Sequence, residues 1–173
     1  MPPVEGRPIS KAARSGSPLA SPLPRWIPPQ LCQLVETAPS GPQWLHEIKL
    51  DGFRMSARIE RGQVQLLTRT GLDWSDKYPS VVEVLAKVGA KPAYLDGELC
   101  GIGDDGLPSF SQTQAASDGS RGVRLVYFAF DLLHLDGRDI ASLPSSSARR
   151  CWSRWSPASL ACSSTATRRA TES

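Results

Sequence analysis

Histidine is almost missing from this chain: only His46 and His134 occur. The four cysteines, Cys32, Cys100, Cys151 and Cys162, lie far apart and form no C-x-x-C pair. That scarcity argues against a structural zinc site and gives no disulfide framework. No apolar run approaches the roughly 20 residues that a bilayer crossing needs. No apolar stretch follows the basic residues near the N-terminus, as a secretory leader requires. Neither a membrane partner nor export is expected, and the expected compartment is the cytoplasm. What is present, 173 residues with 40% hydrophobic and 21% charged side chains, suffices for one ordinary domain with a real core.

The net charge of +3 hides a division. Residues 1–30 carry four Lys/Arg against Glu5, residues 31–140 carry 11 against 15 acids, and residues 141–173 carry five Arg against Glu172. The basic character therefore lies in the tails, where a solvated segment is a commoner reading than a nucleic-acid contact. Residues 1–29 are rich in Pro, Ser, Arg and Gly, show no helical or strand period, and read as a disordered linker. Trp26 and Ile27 are the exception, an apolar pair suited to dock on the domain that follows.

Residues 30–143 read as that domain. Trp44 to Leu50 reads as a strand running into Asp51-Gly52. Phe53 to Glu60 and Gln63 to Thr68 flank Arg61-Gly62, a hairpin signal. Within Lys77 to Val88, Val81, Val82, Leu85 and Val88 fall at helical spacing. Ala93 to Leu95 and Leu99 to Ile102 flank Asp96-Gly97-Glu98. Phe110 to Ser117 reads as a short helix, and Leu125 to Leu133 as an apolar strand before a turn at Asp136-Gly137. Strands dominate and turns are short. The expected class is α+β, mainly antiparallel twisted sheets with flanking helices.

The candidate chemistry centres on Glu47-Ile48-Lys49-Leu50-Asp51-Gly52-Phe53-Arg54, which contains K-x-D-G-x-R. A lysine entering a strand can point into a cleft while Gly52 brings the backbone close to a ligand. Arg54 sets a fixed cation near a phosphate or ribose. Alone, the octet is equally a surface Lys and Arg beside a D-G turn. Three more pieces follow in order: Arg69-Thr70-Gly71, Asp96-Gly97-Glu98, and Phe128-Ala129-Phe130-Asp131.

Together these four pieces resemble the covalent nucleotidyltransferases, the superfamily of ATP-dependent DNA ligases, RNA ligases and mRNA capping enzymes. Three further stretches are similar to the ligase domain of the bacterial end-joining ligases: Arg25 to Leu31, Pro42 to Glu47, and Arg69 to Trp74. The resemblance runs from about Trp26 to Leu143. Thr70 departs from it, standing where that family usually has Asn. The fold implied is an incomplete ATP-grasp-like nucleotidyltransferase lobe.

The resemblance implies that Lys49 attacks the α-phosphate of ATP and holds AMP through a phosphoamide bond. It places Glu47 and Ile48 beside the adenine, Arg54 and Arg69 on ribose and phosphates, and Phe130 under the adenine ring. Glu98 would contact the ribose hydroxyls or help hold Mg²⁺. Asp131 would brace its strand end. Read without the resemblance, Phe130 is as well a core side chain, Glu98 a turn carboxylate and Asp131 a cap. His46 and His134 read as neighbours of the site, and Trp44, Phe53 and Trp74 as core. The implied cofactors are ATP and Mg²⁺, and the implied partner is nicked or broken double-stranded DNA.

That family carries a later E-G-x-x-x-K segment, a K-x-K pair and an oligonucleotide-binding barrel, none of which follows Leu143 here. The chain alone is therefore expected to be a poor catalyst, acting with a separately encoded remainder or serving as a non-catalytic ATP- or DNA-binding remnant. Residues 144–173, dominated by Ser, Ala, Arg and Thr, read as a non-family, disordered tail. Codons for Ser145 to Ser153 can be chosen so that a one-base shift reads LIERKALLE, the start of an amphipathic helix. A frameshift is the expected origin of the tail.

Overall fold

The computed structural model describes residues 21–31, 34–38, 40–41, 48–88 and 91–143. Within them, β1 (Phe53–Glu60), β2 (Gln63–Thr68), β3 (Ala93–Ile102), β5 (Arg124–Leu135) and β6 (Arg138–Asp139) form one antiparallel sheet in the order β2-β1-β3-β5-β6. A two-residue strand, β4 (Pro108–Ser109), pairs with the end of β3. Two short helices, α1 (Pro79–Ala86) and α2 (Phe110–Ser117), accompany the sheet. This is the α+β class expected from the sequence.

Alternation along each strand decides which way the sheet faces. Met55, Ala57 and Ile59 of β1 point to one side with Val64 and Leu66 of β2, Leu95 and Leu99 of β3, and Ala129 and Leu132 of β5. Helix α1 closes over this side through Val81 and Leu85, four residues apart on one helical face. Burying a leucine such as Leu66, Leu85, Leu95 or Leu99, each at 0% exposure, contributes about 1.5–3 kcal/mol. Helix α2 starts at Ser109, whose hydroxyl caps the Gln112 amide. It lies flush on β3, because a Cβ on Gly101 would stand 2.6 Å from the Thr113 nitrogen. Thr113 Oγ1 accepts the Gly101 amide at 2.7 Å and donates to the Ser109 carbonyl at 2.9 Å.

The two short hairpins follow one rule. Glu60 pairs with Gln63 and Leu135 with Arg138, leaving two-residue loops. Arg61-Gly62 and Asp136-Gly137 fill them with positive φ at both positions (53° and 78°; 51° and 78°). That backbone matches the strand twist, and the glycine adopts it without strain.

Two expectations are corrected. Asp96-Gly97-Glu98 is not a turn between two strands but the middle of one ten-residue strand, β3. Gly97 is there for close approach: a Cβ would stand 2.6 Å from Cζ of Tyr127 and 2.5 Å from the Phe128 carbonyl oxygen. The Tyr127 ring crosses above it and its hydroxyl donates to the Met55 carbonyl at 2.9 Å, tying β5 to β1 across β3. Second, residues 48–50 have no regular structure, so Lys49 enters β1 from a loop and not from a strand; residues 44–47 lie outside the described residues.

The segment read as linker is described from Ser21, and from there it is held to the sheet. The Ser21 amide donates to the Gly137 carbonyl at 2.8 Å, Arg58 Nε to the Pro24 carbonyl at 3.0 Å, and the Ile27 amide to the Tyr94 hydroxyl at 3.0 Å. Trp26 packs on Gly71. Residues 144–173 lie outside the described residues, and with them the expected frameshifted tail.

Candidate active site

The face opposite the core receives the alternate residues. Arg54, Ser56 and Arg58 come from β1, and Tyr94, Asp96 and Glu98 from β3. Phe128 and Asp131 of β5 pair with Glu98 and Asp96. Between Asp96 and Gly97 the register with β5 slips by one residue, and Phe130 is the extra residue on β5. A bulge of this kind frees a side chain from strict alternation and re-aims it. The Phe130 ring, 37% exposed, lies under the Arg54 guanidinium, 4.7 Å from its centroid. A cation over an aromatic face at this distance is attractive.

Arg54 is fixed from a second side. Its Nε donates to Asp96 Oδ1 at 2.8 Å and its Nη2 to Oδ2 at 2.6 Å, a two-pronged ion pair with a buried carboxylate. The sequence reading names Glu98 of the D-G-E piece and omits Asp96. The signal was available, since residues two apart in a strand share a face and both then look toward Arg54.

Glu98 sits directly across from Arg54 in the β1–β3 register. Burial pushes its carboxyl above the usual value of 4.5, while Arg54, the Gly52 amide and Lys49 pull it back and Asp96 adds to the rise. The charge of Lys49, in the loop that leads into β1, is among those that reach Glu98. The Lys49 ammonium stands 3.7 Å from Asp51 Oδ1, with 88% of its side chain exposed. Gly52 lets the start of β1 lie against β3, because a Cβ there would collide with the Leu99 carbonyl and stand 2.7 Å from Cys100 Sγ. Burial, then Glu98 and Asp51, push the Cys100 thiol up to about 12, so it stays protonated at neutral pH.

The structure thus gathers Arg54, Glu98 and Phe130, adds Asp96, and leaves Lys49 exposed in the loop before β1. Ile48 is exposed at the mouth of the same loop. Arg69 follows the last residue of β2, in the turn one residue beyond the Met55–Thr68 pair. Among the described residues Arg69 has no hydrogen bond or ion pair. Glu47 and His46 lie outside the described residues. His134 is buried far along β5, with Nε2 at 3.2 Å from Ser21 Oγ. Phe53 and Trp74 pack edge to face against each other, 6.2 Å apart, as the core reading expects.

The donor set suits a nucleotide. Lys49 offers an exposed cation for phosphate, Glu98 a half-buried acceptor for hydroxyls, and Phe130 an aromatic face for a base. For a divalent metal the set is thin. Among the described residues no three His, Cys, Asp or Glu side chains are gathered, so Glu98 would share Mg²⁺ with phosphate oxygens and water. No helix among them is long and apolar enough to cross a membrane.

A loop lysine thus precedes a strand face carrying arginine, carboxylate and aromatic ring. The family described as "ATP dependent DNA ligase domain" matches residues 29–165, and the chain belongs to it. The match extends past Leu143 into the compositionally distinct tail. The multifunctional non-homologous end joining protein LigD of Pseudomonas aeruginosa is 42% identical over 134 residues, 77% of this chain and 16% of that protein. The protein of the same name from Mycolicibacterium smegmatis is 35% identical over 108 residues, 62% of this chain and 14% of the relative. The chain thus spans about one sixth of the length of these relatives. Among solved structures, a mycobacterial DNA ligase D complexed with ATP and MES superposes with a TM-score of 0.57 at 31% identity, over 64% of this chain and 35% of the other. The ligase domain of M. tuberculosis LigD gives 0.55 at 34% identity, over 61% and 34%.

Proposed function

We propose that this chain carries the nucleotide-binding face of an ATP-dependent DNA ligase of the end-joining type, with Lys49 as the nucleophile. The observation that supports it is the placement of Arg54, Glu98 and Phe130 on one face of one sheet, with Lys49 exposed in the loop that leads into it. Lys49 Nζ, once deprotonated, attacks the α-phosphorus of ATP. A nitrogen–phosphorus bond forms, the bond to the bridging oxygen breaks, and pyrophosphate leaves. A free lysine titrates at about 10.4, so the neutral amine must be favoured by neighbouring cations and loss of water. Arg54, held by Asp96 and Phe130, offers a cation whose direction is fixed in advance. Arg69 contributes a second cation, Phe130 stacks on the base with Glu47 and Ile48 at its edge, and Glu98 takes the ribose hydroxyls. Mg²⁺ would supply further neutralisation of phosphate charge, and Glu98 would then help to hold it in place of contacting the ribose hydroxyls. The bound AMP would serve to activate a nick or break in double-stranded DNA within the cytoplasm. Lysines and a carboxylate that the family carries beyond this lobe would complete the charge neutralisation on which such transfer depends.

The test is intact-mass analysis after incubation with ATP and Mg²⁺, followed by peptide mapping. An AMP adduct is expected on Lys49, in small amount, dependent on Mg²⁺ and absent from Lys49→Ala. An equal adduct in that variant removes Lys49 as the nucleophile. Efficient sealing of a nicked duplex by the 173-residue chain would overturn the dependence on a further part.

A further inference from the structure

Arg69 is the one cation of the proposed site that no side chain among the described residues holds by hydrogen bond or ion pair. Its backbone is held instead. Thr68 and Leu72 clasp the turn: the Gly71 amide donates to the Thr68 carbonyl at 2.9 Å, the Thr68 amide to the Leu72 carbonyl at 2.9 Å, and the Leu72 amide to Thr68 Oγ1 at 3.0 Å. Gly71, at φ 83°, makes the reversal possible. The outside of that reversal is covered by Trp26. Three contiguous ring atoms, Cγ, Cδ2 and Cε2, stand 3.2–3.4 Å from the point where a Gly71 Cβ would be. Near-equal distances from adjacent atoms mean that the indole presents its face to the glycine. The backbone on both sides of Trp26 is fixed, by the Pro24 carbonyl on Arg58 and by the Ile27 amide on Tyr94, so the segment that carries the indole is anchored to β1 and β3.

We propose that Trp26 is a positioning residue for Arg69: the strap before the domain uses its indole to fix the turn after β2, and so sets where the Arg69 guanidinium meets an anionic phosphate. The inference rests on the reading of Arg69 as a nucleotide contact. Its physical content is that a cation on a short turn loses little affinity to disorder only if the turn is already ordered. Trp26, 40% exposed, contributes modestly to the core, so its removal should be felt at the turn first.

The test uses the 173-residue chain and three variants, Trp26→Ala, Trp26→Phe and Arg69→Ala, with amide hydrogen exchange and ATP affinity as readouts. Trp26→Ala should speed exchange at Gly71 and Leu72 on the order of tenfold while the β3 amides keep wild-type rates. It should weaken ATP binding as much as Arg69→Ala does, on the order of tenfold. Trp26→Phe, which keeps a ring on the glycine, should recover most of both. The double variant Trp26→Ala/Arg69→Ala should bind no more weakly than Arg69→Ala alone. Unchanged exchange at Gly71 in Trp26→Ala overturns the proposal. So does an Arg69→Ala loss that Trp26→Ala does not share. If Arg69→Ala binds ATP like the wild type while exchange still responds to Trp26→Ala, the reading of Arg69 has failed and the positioning role falls with it.

Discussion

Asp96 grips Arg54 by both carboxylate oxygens, at 2.8 and 2.6 Å, from the strand next to it. The pair places a K-x-D-G-x-R arginine against the first residue of the D-G-E piece, 42 positions away in sequence. It also settles where the Arg54 plane lies, since the same guanidinium covers Phe130 at 4.7 Å. A planar fork can meet a carboxylate along one edge and a ring on one face together, which a lysine ammonium cannot do.

Removing the carboxylate should therefore cost stability and not only binding. Asp96→Ala leaves Arg54 without its buried partner. A fully buried pair broken this way costs about 3–5 kcal/mol; because the Arg54 side chain is 30% exposed and can turn to water, about 2–3 kcal/mol is expected. Arg54→Lys keeps the charge, loses the fork, and should cost less. Urea unfolding midpoints at constant slope measure both. An Asp96→Ala midpoint within about 0.5 kcal/mol of wild type would show that the pair is incidental.

How much of this was legible depends on whether a feature is local. Arg61-Gly62 and Asp136-Gly137 announce their hairpins because two-residue turns have a composition. Val81 and Leu85 announce α1 because a helix face has a period. Gly97 misleads, because D-G reads as a turn when the glycine is there to admit the Tyr127 ring from another strand. The bulge at Phe130 is a property of two strands in register, and neither strand alone carries it. The strap through Pro24 and Ile27 makes its bonds with backbone groups, which any residue supplies, so composition marks it as linker.

Gly97 should tolerate no side chain. In Gly97→Ala the new methyl would meet Tyr127 Cζ at 2.6 Å and the Phe128 carbonyl oxygen at 2.5 Å. The ring can shift, but the carbonyl belongs to a paired strand and cannot move without breaking the β3–β5 ladder. Overpacking of this kind costs about 1–3 kcal/mol. Trimming the ring by Tyr127→Ala should not rescue Gly97→Ala, because the backbone clash remains. Thermal melts of the two single variants and the double decide it; a double variant more stable than Tyr127→Ala would refute the argument.

Phe130 separates stability from binding. At 37% exposure on a bulge, its loss should leave the melting temperature nearly unchanged. If it carries the base, Phe130→Ala should weaken ATP by about 1–3 kcal/mol, the usual worth of one stacked aromatic, with Phe130→Tyr close to wild type. Isothermal titration with ATP and with inorganic triphosphate distinguishes the roles: only ATP should lose affinity. Equal losses for both ligands would mean that Phe130 acts through Arg54 and not on the base.

Glu98 gives a pH signature whose sign is fixed. Its carboxyl is held above 4.5, chiefly by burial, so between the unfolded and folded values the folded chain binds more protons than the unfolded one. Its contribution to stability is then fully present below 4.5 and is lost as pH rises through the folded value. Asp73 and Asp136 act in the opposite sense. Ser75 and Gln65 hydrogen bonds outweigh the opposing effect of burial at Asp73, Lys91 holds Asp136, and both carboxyls lie below their usual value. The whole-chain profile therefore mixes signs, and Glu98→Gln isolates the contribution of this one carboxyl. The unfolding free energy of wild type minus that of Glu98→Gln should fall as pH is raised from below 4.5 and then level off. With ATP and Mg²⁺ present the fall should shrink, because a cation on the carboxylate favours its ionised form. A difference that stays flat across this window would show that the fold leaves Glu98 unperturbed. A fall that ATP and Mg²⁺ leave unchanged would remove Glu98 from the metal.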